Sequence, residues 1–227
     1  MSTFKSTVIA HRGASKKAPE NTFSAFNQAL ADKSPWIEFD VMLASCGTPV
    51  IFHDDHLERT TNGAGELYTQ SYTELAKLDA GAWFAPQFSG EKIPTLAAMV
   101  DWLLTNTVYV NIELKPRAGE EATLVTTVLA TMRPLLESGR LLFSSFSVDA
   151  LRRLREQDPN CRIGLLMHEW KADWEGLVDE LACTSVHLNS ELITPDTINA
   201  IKTRGLSLLT YTVNDPATAK ALLAQGV

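Results

Sequence analysis

The 227-residue sequence predicts an α/β fold of the (β/α) barrel type. Three observations support this. Short β-branched apolar runs alternate with helix-period runs along most of the chain, the pattern of βαβ units and a parallel sheet. Acidic, basic and imidazole residues recur just after the apolar runs, at the strand ends where such barrels carry their active sites. No linker or internal repeat interrupts the alternation, so the length is read as one domain, 1–227.

Thr7–Ala10 reads as a short buried strand, followed by a helix over Asn21–Ala31 with Phe23, Phe26 and Leu30 on one face. Trp36–Met42 is the second strand, and Pro49–Phe52 is a short extended run set apart from the barrel. From Asp54 to Pro94 the rhythm breaks. Asn62-Gly63, Gly65, Gly81, Pro86 and Gly90 mark turns, so 54–94 reads as an insertion of loops and short helices after the second barrel strand. A helix over Thr95–Leu104 and a strand over Val108–Leu114 restore the alternation. Gly119–Glu137 is amphipathic through Leu124, Val125, Val128, Leu129, Met132 and Leu136. Strands then fall at Leu141–Phe146, Arg162–Met167, Ser185–Leu188 and Leu206–Val213, with helices at Val148–Gln157, Asp173–Ala182, Pro195–Thr203 and Pro216–Ala224. The count is seven barrel strands; a closed barrel has eight, and an eighth is expected to be missing from this chain.

The formal charge of −7 argues against a nucleic-acid partner and against electrostatic docking on anionic membranes. A phosphate substrate would need local cations. No apolar run is long enough for a transmembrane helix, and the first ten residues are too short and polar for a secretory signal. Cys46, Cys161 and Cys183 have no metal-ligand spacing and read as free thiols of a reducing compartment, so a cytoplasmic location is expected.

Glu38 and Asp40 stand two apart on a strand and share a face, while Ile37, Phe39 and Val41 take the other. With those apolar residues under the helices, both carboxylates point inward. Two buried carboxylates repel and lose solvation, and a bound cation offsets both costs. Glu113, at the end of the next barrel strand, completes an all-oxygen set suited to Mg²⁺, Ca²⁺ or Mn²⁺. An arginine-paired carboxylate cluster is the competing explanation; three carboxylates beside two histidines favour the metal. Lys115 shares the face of Glu113, and with Arg12 it suits a phosphate oxygen. His11 and His53 follow strands and flank the carboxylates, which suits a general acid and a general base in either order. Asn111, Asp54 and Asn214 also fall at strand ends without an assigned role, and His56, His168 and His187 have no such setting.

His11-Arg12-Gly13, Pro19-Glu20-Asn21-Thr22, Glu38-Phe39-Asp40-Val41, Phe52-His53-Asp54 and Ile112-Glu113-Leu114-Lys115 together resemble the signature of the glycerophosphodiester phosphodiesterases, in order and spacing, over about 105 residues. Ser145-Phe146 and Thr212-Val213-Asn214 are similar to that family's later strand ends. The resemblance implies a distorted TIM barrel and metal-dependent hydrolysis of glycerophosphodiesters to sn-glycerol 3-phosphate and an alcohol. It implies Glu38, Asp40 and Glu113 as metal ligands, His11 and His53 as proton carriers, and Arg12 and Lys115 on the phosphate. Glu20 would be the partner that fixes Arg12; Pro19–Thr22 also fits a plain helix start. Tyr211 stands where the family commonly has Trp, and would pack its ring on glycerol carbons. The attacking oxygen is either a water or the glycerol 2-hydroxyl. A lysophospholipid- or phosphoinositide-directed phosphodiesterase is the alternative, with Trp83, Phe84 and Phe88 of the insertion as its apolar rim.

Overall fold

Residues 8–227 are described by the computed structural model, and they form two compact units, Val8–Leu141 and Leu142–Val227. In the first, strand β1 (Trp36–Leu43) is buried along its whole length. It pairs in parallel with β3 (Tyr109–Leu114), Glu38 opposite Asn111 and Asp40 opposite Glu113. On its other side it pairs antiparallel with β2 (Pro49–Ile51), Val41 opposite Ile51. The antiparallel pairing explains why the Pro49–Phe52 run does not join the parallel series.

The expected Thr7–Ala10 strand is described only from Val8 onward. Thr7 lies outside the described residues, and only Ala10 makes a β-bridge, parallel to Ile37. Its N–H donates to the Trp36 carbonyl (3.0 Å) and its carbonyl accepts from the Glu38 N–H (2.9 Å). This one bridge is enough to deliver His11 and Arg12 beside Glu38 of β1.

Helix α1 (Phe23–Ala31) starts where the Thr22 hydroxyl caps the Ala25 N–H. Its inner face is Ala25, Phe26 and Ala29, not the expected Phe23, Phe26 and Leu30. Small residues let the helix backbone approach the sheet. Phe26 alone reaches in, edge-on to Phe39 of β1 at 5.9 Å and against Trp102 at 6.0 Å. Trp102 belongs to α3 (Leu96–Thr105), which is capped by Thr95. Phe39 therefore lies under the helices, and the opposite phase of β1 carries Glu38 and Asp40.

Helix α4 (Glu121–Met132) buries the expected Leu124, Val125, Val128, Leu129 and Met132. It then tightens into a 3₁₀ segment, Arg133–Ser138, so Leu135 rather than Leu136 is buried. Pro134 lacks the N–H that an α-turn requires, and three residues per turn moves the inward position to Met132 plus three.

The insertion consists of loops with one short helix, α2 (Tyr72–Leu75), and two 3₁₀ turns, Leu67–Thr69 and Pro86–Phe88. Leu57, Leu67, Leu75, Ala80 and Ile93 pack against Met42, Val50 and Phe52 of the sheet in one apolar cluster. Trp83, Phe84 and Phe88 stack edge-on, each step 5.6 Å, and Trp83 donates its indole N–H to the Ala80 carbonyl.

In the second unit β4 (Leu141–Ser145, starting at the junction), β5 (Ile163–Met167), β6 (Ser185–Asn189) and β7 (Ser207–Tyr211) pair in parallel, each with the next. Helices α5 (Val148–Gln157), α6 (Trp174–Glu180) and α7 (Pro195–Thr203) alternate with them, and α8 (Pro216–Ala224) follows β7. Ser147, Thr194 and Asp215 cap α5, α7 and α8 through their side-chain oxygens. Strand, helix, strand recurs as the sequence alternation predicts. Among the described residues no helix is long and apolar enough to cross a membrane.

Candidate active site

The middle of β1, at Glu38 and Asp40, gathers the site. Past Ala10 the chain curls through left-handed conformations at Arg12 (φ 55°) and Gly13 (φ 77°). A Cβ at Gly13 would lie 2.7 Å from the Ala25 backbone, so glycine is required where the turn presses on α1. The curl aims the Arg12 N–H at Glu38 Oε2 (2.8 Å) and its guanidinium at Glu20 Oε1 (Nη1, 2.7 Å) and Asp40 Oδ2 (Nε, 3.4 Å). His11 Nε2 lies 4.0 Å from Glu38 Oε2.

Each of Glu38, Asp40 and Glu113 offers a carboxylate oxygen, all within 4.8 Å of one another. Burial, then Asp40 and Glu113, push the Glu38 carboxyl well up; burial and then Asp40 push Glu113 up to about 8. Glu38 Oε1 and Asp40 Oδ1 are buried with no hydrogen-bond partner, as are the amide oxygens of Asn21 and Asn111. Unpartnered buried acceptors are costly. Oxygen donors crowded at this spacing fit a hard divalent cation, which satisfies the lone pairs and removes the repulsion. Arg12 neutralises one edge of the cluster, so the competing arginine-pair explanation holds in part; it leaves Glu38 Oε1 and Asp40 Oδ1 unserved.

Lys115 Nζ lies 3.8 Å from Glu113 Oε1. His53 Nδ1 lies 2.5 Å from Asp54 Oδ1. A carboxylate there holds the proton on Nδ1 and leaves Nε2 as the exchanging nitrogen. Burial lowers the His53 imidazole and pushes His11 down to about 4, with Arg12 adding to the fall at His11. Burial thus favours the neutral form of both, and an arriving phosphodiester anion would favour their charged forms.

Three side chains without a sequence-assigned role complete this arrangement. Asn21, also left-handed (φ 58°), donates to Asp40 Oδ2 at 2.9 Å. Asp54 holds His53. Arg59 binds Asp54 through Nε and Nη2 (2.5 and 2.8 Å) and Glu20 through Nη1 and Nη2 (2.9 and 2.8 Å). Asn21 and Asp54 stand inside the sequence motifs, which were the available signal. Arg59 lies in an insertion with no periodicity to mark it. Tyr211 is in the second unit; its hydroxyl donates to the Met167 carbonyl (3.1 Å) and its ring meets Phe146 edge-on at 5.9 Å.

The glycerophosphoryl diester phosphodiesterase family model matches residues 11–227. The chain belongs to that family. A glycerophosphodiester phosphodiesterase from Caldanaerobacter subterraneus subsp. tengcongensis is 32% identical over 223 residues, 98% of this chain and 92% of the relative. A phosphodiesterase from Oleispira antarctica, solved with the product sn-glycerol 3-phosphate, is 35% identical with a TM-score of 0.93, over 96% of this chain and 89% of that one. A glycerophosphodiester phosphodiesterase structure from Agrobacterium tumefaciens is 29% identical with a TM-score of 0.79, over 95% and 90%. The fold is thus the α/β class of that family, the TIM type, and the chain is a phosphoric diester hydrolase of the glycerophosphodiester phosphodiesterase class.

Proposed function

We propose that this phosphodiesterase cleaves glycerophosphodiesters to sn-glycerol 3-phosphate and an alcohol, with a divalent cation, Mg²⁺ or Ca²⁺ (Mn²⁺ also suits the ligands), held by Glu38, Asp40 and Glu113. The observation that carries this reading is the trio of carboxylates within 4.8 Å, two of their buried oxygens unpartnered. The chemistry such an ion supplies is charge neutralisation at a phosphoryl oxygen and acidification of the attacking hydroxyl. Arg12 and Lys115 supply fixed positive charge to the phosphodiester anion, which otherwise repels a nucleophile. His11 and His53 exchange protons with the attacking and leaving oxygens. Glu20 holds Arg12 by a 2.7 Å bond and is itself lowered to about 2 against its burial, by Arg59 and Arg12, so it stays ionised throughout. Tyr211 would pack its ring on glycerol carbons, the role that the family resemblance implies for it.

One family model spans both units, which supports reading the chain as a single catalytic domain with 54–94 as its insertion. The matched family and the product bound by the Oleispira relative support a small-molecule substrate. Release of glycerol 3-phosphate from glycerophosphocholine, measured with EDTA and after adding back Mg²⁺, Ca²⁺ or Mn²⁺, tests the proposal. Product that vanishes with EDTA and returns with metal is expected. Undiminished product in EDTA would overturn the metal assignment. A lysophospholipid assayed beside it tests the Trp83–Phe88 rim; turnover of the lysolipid in preference to the soluble diester would replace the substrate class.

A further inference from the structure

Arg59 sits in the insertion, on a turn held from both ends. Thr61 closes the turn by donating its N–H (3.1 Å) and its hydroxyl (2.7 Å) to the Leu57 carbonyl. Leu57 is buried in the apolar cluster beneath, and Thr60 and Thr61 are buried too. The backbone under Arg59 is therefore fixed, while its side chain is 46% exposed. The guanidinium serves two carboxylates at once, Asp54 through one edge and Glu20 through the other. Each carboxylate shares an oxygen with a group of the site. Glu20 Oε1 accepts from Arg59 Nη2 and Arg12 Nη1; Asp54 Oδ1 accepts from Arg59 Nη2 and faces His53 Nδ1.

We propose that Arg59 is a positioning residue for the hydrolysis, clamping Glu20 and Asp54 so that Arg12 and His53 are set together. This rests on the roles proposed above for Arg12 and His53. Exposed ion pairs contribute little to stability, so the effect of Arg59 is geometric. Without it, Glu20 and Asp54 would each keep a single contact to the site and could swivel about it. Lysine cannot replace it, because a point-like ammonium has no planar fork for two carboxylates. The insertion thereby has a catalytic purpose: it carries the clamp.

The test measures kcat and KM on glycerophosphocholine with metal present, and melting temperature, for R59A, R59K, D54N and R59A/D54N, with H53A and R12A as controls. Both Arg59 variants should lose about 10–100-fold in kcat/KM, the usual cost of removing a partner behind a reacting group, at unchanged melting temperature. Added guanidinium ion should restore part of the R59A rate, and D54N should cost little more in the R59A background. Wild-type turnover by R59K, with H53A and R12A inactive, would overturn the clamp and leave the site assignment standing. Wild-type activity in H53A or R12A would overturn the assignment beneath it. A loss in R59A that follows a lower melting temperature, is additive with D54N and is not rescued would make Arg59 merely structural.

Discussion

At the scale of single residues, the site contrasts groups that are satisfied with groups that are not. Glu20 and Asp54 are surrounded by donors, and the carboxyls of both are held well below the usual range despite burial. Glu38 and Glu113 have too few donors and are held above it. That contrast separates carboxylates that hold other side chains from carboxylates suited to a cation. Glu113→Gln should weaken binding of a divalent ion by at least about tenfold, by loss of one charged ligand; calorimetric titration checks it without reference to turnover, and unchanged affinity would remove Glu113 from the ligand set. His53→Ala should lower kcat by about 10²–10⁴-fold, the usual size of an acid–base contribution. Wild-type kcat in that variant would take His53 out of the reaction.

At the scale of elements, the site depends on one tight contact between loop and helix. The turn at Arg12–Gly13 presses on the α1 backbone at Ala25, whose neighbour Phe26 packs on Phe39 of β1. Gly13→Ala forces a side chain into a left-handed position and into the 2.7 Å gap to Ala25. It should cost about 1–3 kcal/mol from the backbone conformation alone, and it should also lower kcat by displacing Arg12. Denaturant unfolding and steady-state rates measured side by side would show both, and a neutral variant would mean that the turn relaxes freely. The alternation of β1 made its two faces legible from sequence, because a strand's side chains have a strict period of two. The inner face of α1 was not legible, because closeness of packing selected Ala25 and Ala29 over the larger Phe23 and Leu30.

At the scale of the whole molecule, the net charge of −7 means that any attraction for a phosphodiester anion has to come from local cations such as Arg12 and Lys115, within an acidic protein. Its stability should also depend on pH through a group far from the chemistry in sequence. His187 is buried in β6 with its Nε2 at 2.9 Å from Ser185 Oγ, and burial pushes its imidazole down to about 3. Unfolded, the same group titrates at about 6.5. Between those values the unfolded chain binds a proton that the folded chain excludes, so stability rises with pH across the window and is lost as pH falls below about 6.5. At pH 5 the loss from His187 is about 2 kcal/mol. Urea midpoints between pH 7 and pH 5 should fall in the native chain and fall less steeply in His187→Gln; equal slopes would show that His187 is not the source.

Sequence alone determined the α/β alternation, the phase of β1 and the candidate site residues that stand in motifs, because periodicity and motif spacing are local properties. Tertiary structure decided the rest. It set Ala10 in a bridge beside Ile37, ended α4 in a 3₁₀ turn at Pro134, and joined Glu20, Asp54 and Arg59 into one network. Arg59 is 39 residues from Glu20 in the chain. No local periodicity marks that contact, which exists because the apolar cluster that buries Leu57 fixes the turn carrying Arg59.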